Sequence, residues 1–173
     1  PTVHAEISLK ILEAGKHVHV EKPLAVTRED GRKVVERARD LGLTITAAPD
    51  TFLGGGGQTA RKLLDEGAIG QPTSAKAYLY KGGPEKGHPN PFFFYQKGGG
   101  PLFDMGPYYI TALVNLLGPV KRVAAITGAT WDHRIAQNEA IKGQKIPVEI
   151  PTNYAGVLEF HSGAIATLAM SFD

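Results

Sequence analysis

The pattern of apolar and polar positions changes character roughly seventy residues into the chain. Over residues 4–14, Ile7, Leu9, Ile11 and Leu12 interleave with Glu6, Lys10 and Glu13, which predicts a half-buried helix ended by Gly15. Val18 and Val20 flank His19 in a short predicted strand. A second helix opens at Thr27-Arg28-Glu29-Asp30, with Thr27 as its cap and the acidic residues at the positive end of the helix dipole. Val34, Val35, Ala38 and Leu41 form its inner stripe, and Gly42 closes it. The β-branched stretch 43–47 reads as the next strand. Strand, helix and strand at this spacing make a βαβ unit, whose crossover is right-handed in a parallel sheet. The helix at residues 4–14 implies one more strand ahead of it.

Further along, residues 52–57, with four consecutive glycines at 54–57, read as a flexible loop, and 58–66 as a helix ended by Gly67. Residues 74–80 alternate as a strand. Residues 82–100 are rich in Gly, Pro and aromatics with no period, and loops of that length are commonly functional. A helix is expected over 104–117, stopped by Gly118-Pro119, then strands at 120–127, 153–160 and 164–172, the last two joined by a tight turn at His161-Ser162-Gly163. The hairpin points to an antiparallel sheet. The expected architecture is therefore α/β: the C-terminal part of a Rossmann-type parallel sheet in residues 1–72, then an α+β domain with an open, mainly antiparallel sheet in residues 73–173.

Composition narrows the function classes. A net charge of +2 over 173 residues, without any block of like charge, gives no reason to expect nucleic acid or an anionic membrane as partner. No apolar run approaches the roughly 20 residues that span a bilayer. The absence of cysteine excludes disulfides and thiolate metal sites and suits a reducing, cytoplasmic setting. The six histidines lack metal-ligand spacing, and no metal site is expected. Pro1-Thr2-Val3-His4 resembles neither a translation start nor a signal segment, and the last strand stops at Asp173 without a tail; both ends are expected to continue in a longer chain.

Two constellations could carry chemistry. Glu21-Lys22-Pro23 follows the first strand, at the carboxyl edge where open α/β sheets bind ligands. A partly desolvated lysine can exchange protons near neutrality, and the X-Pro bond after it can be cis. The same tripeptide also suits a surface Glu-Lys pair before a loop proline. The second is Gly98-Gly99-Gly100 followed by Asp104, Gly106 and Tyr108. The glycines permit close approach of a ligand or another segment, and Asp104 at a helix start with Tyr108 one turn on would present a carboxylate and a phenol on one face, fit for adjacent hydroxyls of a polyol. Capping by Asp104 and core packing by Tyr108 would explain the pair equally. The run 54–57 lacks the Gly-Lys-Ser/Thr of a phosphate cradle, and Trp131-Asp132-His133-Arg134 reads as an ordinary loop.

Taken together, Pro1-Thr2-Val3-His4-Ala5-Glu6, Gly15-Lys16-His17-Val18-His19-Val20-Glu21-Lys22-Pro23, Gly67-Ala68-Ile69-Gly70 and Gly98-Gly99-Gly100-Pro101-Leu102-Phe103-Asp104-Met105-Gly106 resemble, in order and spacing, the glucose-fructose oxidoreductase / inositol dehydrogenase / rhizopine catabolism (Gfo/Idh/MocA) family. The resemblance implies an enzyme that moves a hydride between a sugar or polyol and NAD or NADP, with the small molecule bound between two domains and homo-oligomers formed through the open sheet. It implies that Lys22 assists proton transfer, that Asp104 positions or deprotonates the substrate, and that Pro1, Thr2, His4, Glu21, Lys22 and Pro23 line the cofactor. Many relatives carry histidine where Tyr108 stands. Tyrosine, with an unperturbed pKa near 10, is a poorer base, which shifts proton transfer toward Lys22 and leaves Asp104 and Tyr108 to orient the substrate. The glycine-rich half of the Rossmann domain is not in these residues, so this stretch alone is expected neither to bind dinucleotide tightly nor to turn over. The alternative is a sugar-sensing relative that keeps the fold without catalysis.

Overall fold

A computed structural model describes residues 1–173. The first unit is α1 (His4–Glu13), β1 (Val18–Val20), α2 (Arg28–Asp40) and β2 (Ile45–Ala47). The two strands pair in parallel, Val18 opposite Ile45 and Val20 opposite Ala47. Leu12, Val18, Val34 and Ala38 are buried between strands and helices. Thr27 caps α2 by accepting from the Asp30 amide at 3.1 Å, a contact worth about 1 kcal/mol. Gly42 (φ 64°) turns the chain out of that helix in the left-handed conformation that an L side chain resists.

The second unit holds α3 (Gly55–Asp65), β3 (Ser74–Tyr80), α4 (Gly100–Asp104), α5 (Gly106–Leu117), β4 (Val120–Gly128), β5 (His133–Ile135), β6 (Lys145–Pro147), β7 (Asn153–Phe160) and β8 (Ile165–Ser171). Its main sheet runs β3-β8-β7-β4; β8 is antiparallel to β7 and β7 to β4, while β3 lies parallel to β8. Alternation sends Leu158, Phe160, Ala166, Leu168 and Met170 to one face, where they meet Leu113 and Leu117 of α5. The other face exposes Tyr78, Tyr80, Ile126, Val157 and Ile165. Arg61 of α3 donates to the carbonyls of Asn115 and Leu116 at 2.9 and 2.8 Å, satisfying orphan acceptors at the end of α5.

Three expectations are corrected. The glycine run is not a loop: Gly55 to Gly57 form the first turn of α3, because the helix start lies against the backbone of Phe52, where a Cβ on Gly57 would collide with the carbonyl. The helix expected over 104–117 is broken, so Asp104 ends α4 instead of opening a helix, and Met105 precedes α5. Proline at 107 has no amide to donate and its ring opposes a helical carbonyl four residues back, so α4 cannot run on into α5. Finally, His133 and Arg134 belong to strand β5, paired with β6, and not to a loop. No helix is long and apolar enough to cross a membrane.

Candidate active site

Lys22 follows the carboxyl end of β1, and its peptide bond to Pro23 is cis. Its ammonium crosses to the second unit and donates to the Asp104 carboxylate at 2.6 Å and to the Asp104 carbonyl. The side chains are only 17% and 24% exposed, so the pair is partly shielded from water and its charge-assisted bonds are correspondingly firm. The ammonium also lies 5.5 Å from the ring centroid of Tyr108, in the first turn of α5, close enough for a cation–π attraction. Lys22, Asp104 and Tyr108 thus meet, although by convergence on the ammonium and not through one helical face. Of three ammonium donors, two are engaged by Asp104 and one is left for a ligand.

The first-unit residues around Lys22 divide into two groups. His4 Nδ1 is hydrogen-bonded to the Pro23 carbonyl at 2.7 Å, and Pro23 is buried, so α1 braces the turn that carries the lysine. Pro1 is half-buried near Gly98, while Thr2 and Glu21 are exposed. The glycines of 98–100 serve protein packing: a Cβ on Gly98 would collide with Val26, one on Gly99 with the Phe93 and Phe94 carbonyls, and one on Gly100 with Ile150. His17 and His19 contact Thr44 and Thr46 on the surface.

Beside Asp104 opens a cavity of about 630 Å³, walled by the residue 81–89 segment, Phe94, Met105 and Phe172. Asp104 belongs both to this cavity and to the lysine pair. The loop behind the wall is anchored by a buried polar network that no local pattern announces. Glu85, 3% exposed, accepts from the Tyr95 hydroxyl and from Arg134 at 2.9 and 3.2 Å. Arg134 also donates to Asp173 at 2.9 Å and to the Phe172 carbonyl at 3.0 Å, and Asp173 accepts from the hydroxyls of Thr130 and Thr152. Burial, reinforced by the Glu85 carboxylate, pushes the Tyr95 phenol far above its ordinary value. For Arg134, burial opposes the charge but the Glu85 carboxylate prevails and raises its pKa. For Asp173, burial is likewise outweighed by the Thr130 and Thr152 hydroxyls, and the carboxylate is held below its usual range.

Comparison with known proteins decides the lineage. Residues 1–48 match the model of an oxidoreductase family with an NAD-binding Rossmann fold, and residues 58–173 match the GFO/IDH/MocA C-terminal domain. The chain belongs to the GFO/IDH/MocA oxidoreductase family. Among curated GFO/IDH/MocA relatives, the D-glucoside 3-dehydrogenase of Escherichia coli is 32% identical over 98% of this chain and 49% of its own length. The levoglucosan dehydrogenase of Pseudarthrobacter phenanthrenivorans is 28% identical over 96% and 46%. A solved structure of levoglucosan dehydrogenase in complex with NADH and L-sorbose superposes with a TM-score of 0.87 at 26% identity, covering 99% of this chain and 46% of that one. The chain spans about half the length of the curated relatives it matches. Sequence patterning pointed to Lys22, Asp104 and Tyr108 but missed Lys81, Lys86 and His88 on the cavity wall; their signal was only the aperiodic loop that contains the last two.

Proposed function

We propose that the protein containing this GFO/IDH/MocA chain oxidises a sugar or polyol hydroxyl to a carbonyl, or runs the reverse reduction, with NAD or NADP. The observation that carries this reading is the Lys22–Asp104 pair, 2.6 Å apart, bridging the parallel-strand edge and the rim of the cavity. The residues suit a dinucleotide: Thr2 and Glu21 are exposed polar groups with no hydrogen bond inside the chain, beside a turn made rigid by His4 and Pro23. Pro1, Thr2, His4, Glu21, Lys22 and Pro23 would hold the nicotinamide end. When bound, nicotinamide accepts the hydride from the substrate carbon. In this reading the Lys22 ammonium gives the proton of its remaining N–H to the carbonyl oxygen during reduction, and during oxidation the deprotonated amine takes the hydroxyl proton. Asp104 fixes the Lys22 side chain, and Tyr108 orients the substrate. The names of the relatives, sugar dehydrogenases among them, support the substrate class.

We infer further that residues 1–72 and 73–173 act as two domains, and that the apolar outer sheet face around Tyr78 and Ile126 packs against a second copy. The test of the activity uses the full-length protein with NAD or NADP and a sugar panel, following nicotinamide absorbance. Lys22→Ala is expected to lower kcat/KM by about 10²–10⁴-fold, the usual contribution of a positioned acid–base group. Undiminished turnover would remove Lys22 from the mechanism.

A further inference from the structure

We propose that the cavity wall formed by residues 81–88 binds an anionic group of the substrate, a carboxylate or a phosphate, through Lys81 and Lys86. The proposal rests on the oxidoreductase reading of the same cavity and adds to it the charge of the substrate.

The alternation that turns Ala75, Ala77 and Leu79 toward the helices continues one step past β3 to Lys81, whose amide extends the ladder to the Ser171 carbonyl. That register puts Lys81 on the helix-covered side of the sheet, where it lines the cavity with Asp104 and Met105. Lys86 arches back over Gly82: a Cβ on that glycine would collide with the lysine Nζ. Glycine at 82 therefore makes room for an ammonium against the backbone. Neither lysine takes part in an ion pair of this chain.

The acids that could neutralise them are committed elsewhere. Glu85, between the two lysines, is buried and bound to Tyr95 and Arg134. Asp104 is paired with Lys22. His88 adds a third donor to the wall, because its Nδ1 accepts from the Asn90 amide at 3.0 Å and its neutral proton therefore sits on Nε2. The ring is held edge-on to Phe94, 5.1 Å between centroids. A neutral polyol hydroxyl is best met by a donor and an acceptor together, whereas the 81–88 segment presents two cations and an N–H, and the carboxylate of the cavity, Asp104, lies on its other side, paired with Lys22 through Oδ1. A carboxylate or phosphate satisfies such a segment by accepting from both ammoniums and the imidazole N–H.

The experiment uses the full-length protein and matched probes: glucose with glucuronate and glucose 6-phosphate, galactose with galacturonate and galactose 6-phosphate. Wild type is expected to favour the acid or phosphate over its neutral partner by about tenfold or more in kcat/KM, a difference of about 1.4 kcal/mol. The carboxylate and phosphate arms identify which anion is taken. The Lys81→Met/Lys86→Met double variant, altered only at exposed side chains, should bring that ratio close to one. A ratio near one in wild type, or an unchanged ratio in the double variant, overturns the proposal. Calorimetric titration of the same probes separates the two readings. Anion binding that the double variant abolishes, without any nicotinamide reduction, sustains the subsite and sinks the oxidoreductase reading; turnover without anion preference does the reverse.

Discussion

Lys22 and Asp104, separated by 82 positions in the chain, are joined by an ion pair of 2.6 Å that links the βαβ unit to the mixed sheet. Each partner is held by its own segment: Lys22 by a turn that His4 clasps, Asp104 by the end of a short helix whose glycine-lined entry is packed against Val26 and Ile150. Under the proposed mechanism, two separately anchored segments converging on one ammonium would preorganise proton transfer, because a displacement of about 1 Å can cost 10²-fold in rate.

Asp104→Asn keeps a hydrogen-bond acceptor for Lys22 but removes the charge. A hydrogen bond to a charged group contributes about 1.5–3 kcal/mol, so kcat in the full-length enzyme is expected to fall about 10- to 100-fold. Because Asp104 also lines the cavity, KM should rise as well; steady-state kinetics with the best sugar of a panel measures both. A variant with wild-type kcat would show that the ion pair is only structural.

Arg134→Met leaves the Glu85 carboxylate, whose side chain is 4% exposed, without its cation. Breaking a buried pair on one side costs about 3–5 kcal/mol, read as a lower free energy of chemical unfolding. Adding Glu85→Gln to that variant should recover part of the loss, since Asp173, still held by the Thr130 and Thr152 hydroxyls, is then the one carboxylate left without Arg134. Additive losses in the double variant would mean that the two residues stabilise independently.

How much of this was legible depended on the range of the interactions. The ends of α2 are written in Thr27 and Gly42, both local signals, and they could be read directly. The alternation of residues 74–80 likewise identified the strand β3. The glycine run 54–57 was misread because its low helix propensity is overridden by packing on Phe52, a contact that composition does not encode. Asp104 was seen as a candidate, but its setting was not: the break between α4 and α5 depends on how Pro107 acts on the preceding turn. Glu85 and Arg134 lie 49 positions apart, and no periodicity connects them. Lys81 and Lys86 become meaningful only when the acids near them are seen to be bound elsewhere.

The Tyr95 phenol gives the network a pH signature. Its folded pKa lies above the unfolded value near 10, with burial the first cause and the Glu85 carboxylate the second. A raised folded pKa means that the stabilisation is complete below the unfolded pKa and is lost as pH rises above it toward the folded value. Unfolding free energy should therefore decline from about pH 10 upward. Tyr95→Phe, which has no proton to lose, should flatten that decline while lowering stability at neutral pH by about 1–2 kcal/mol for the lost hydrogen bond. Urea titrations of both proteins between neutral and alkaline pH test this; equal alkaline slopes would assign the effect to other groups.

Gly98→Ala tests whether the glycine segment sets the distance between the two halves of the site. Gly98 has φ 87°, a backbone conformation costly for alanine, and an added Cβ would also collide with Val26. Strain and overlap together predict a stability loss of about 2–4 kcal/mol. The sharper expectation is kinetic. The collision pushes residues 98–104 away from the βαβ unit, and Asp104 lies only six positions further on, so Lys22 loses its partner. Val26→Ala, combined with Gly98→Ala, removes the overlap but not the φ strain. It should restore more of kcat than of stability, because the distance between units recovers while the backbone cost stays. Equal recovery of both would mean that the segment contributes to folding alone and does not position Asp104.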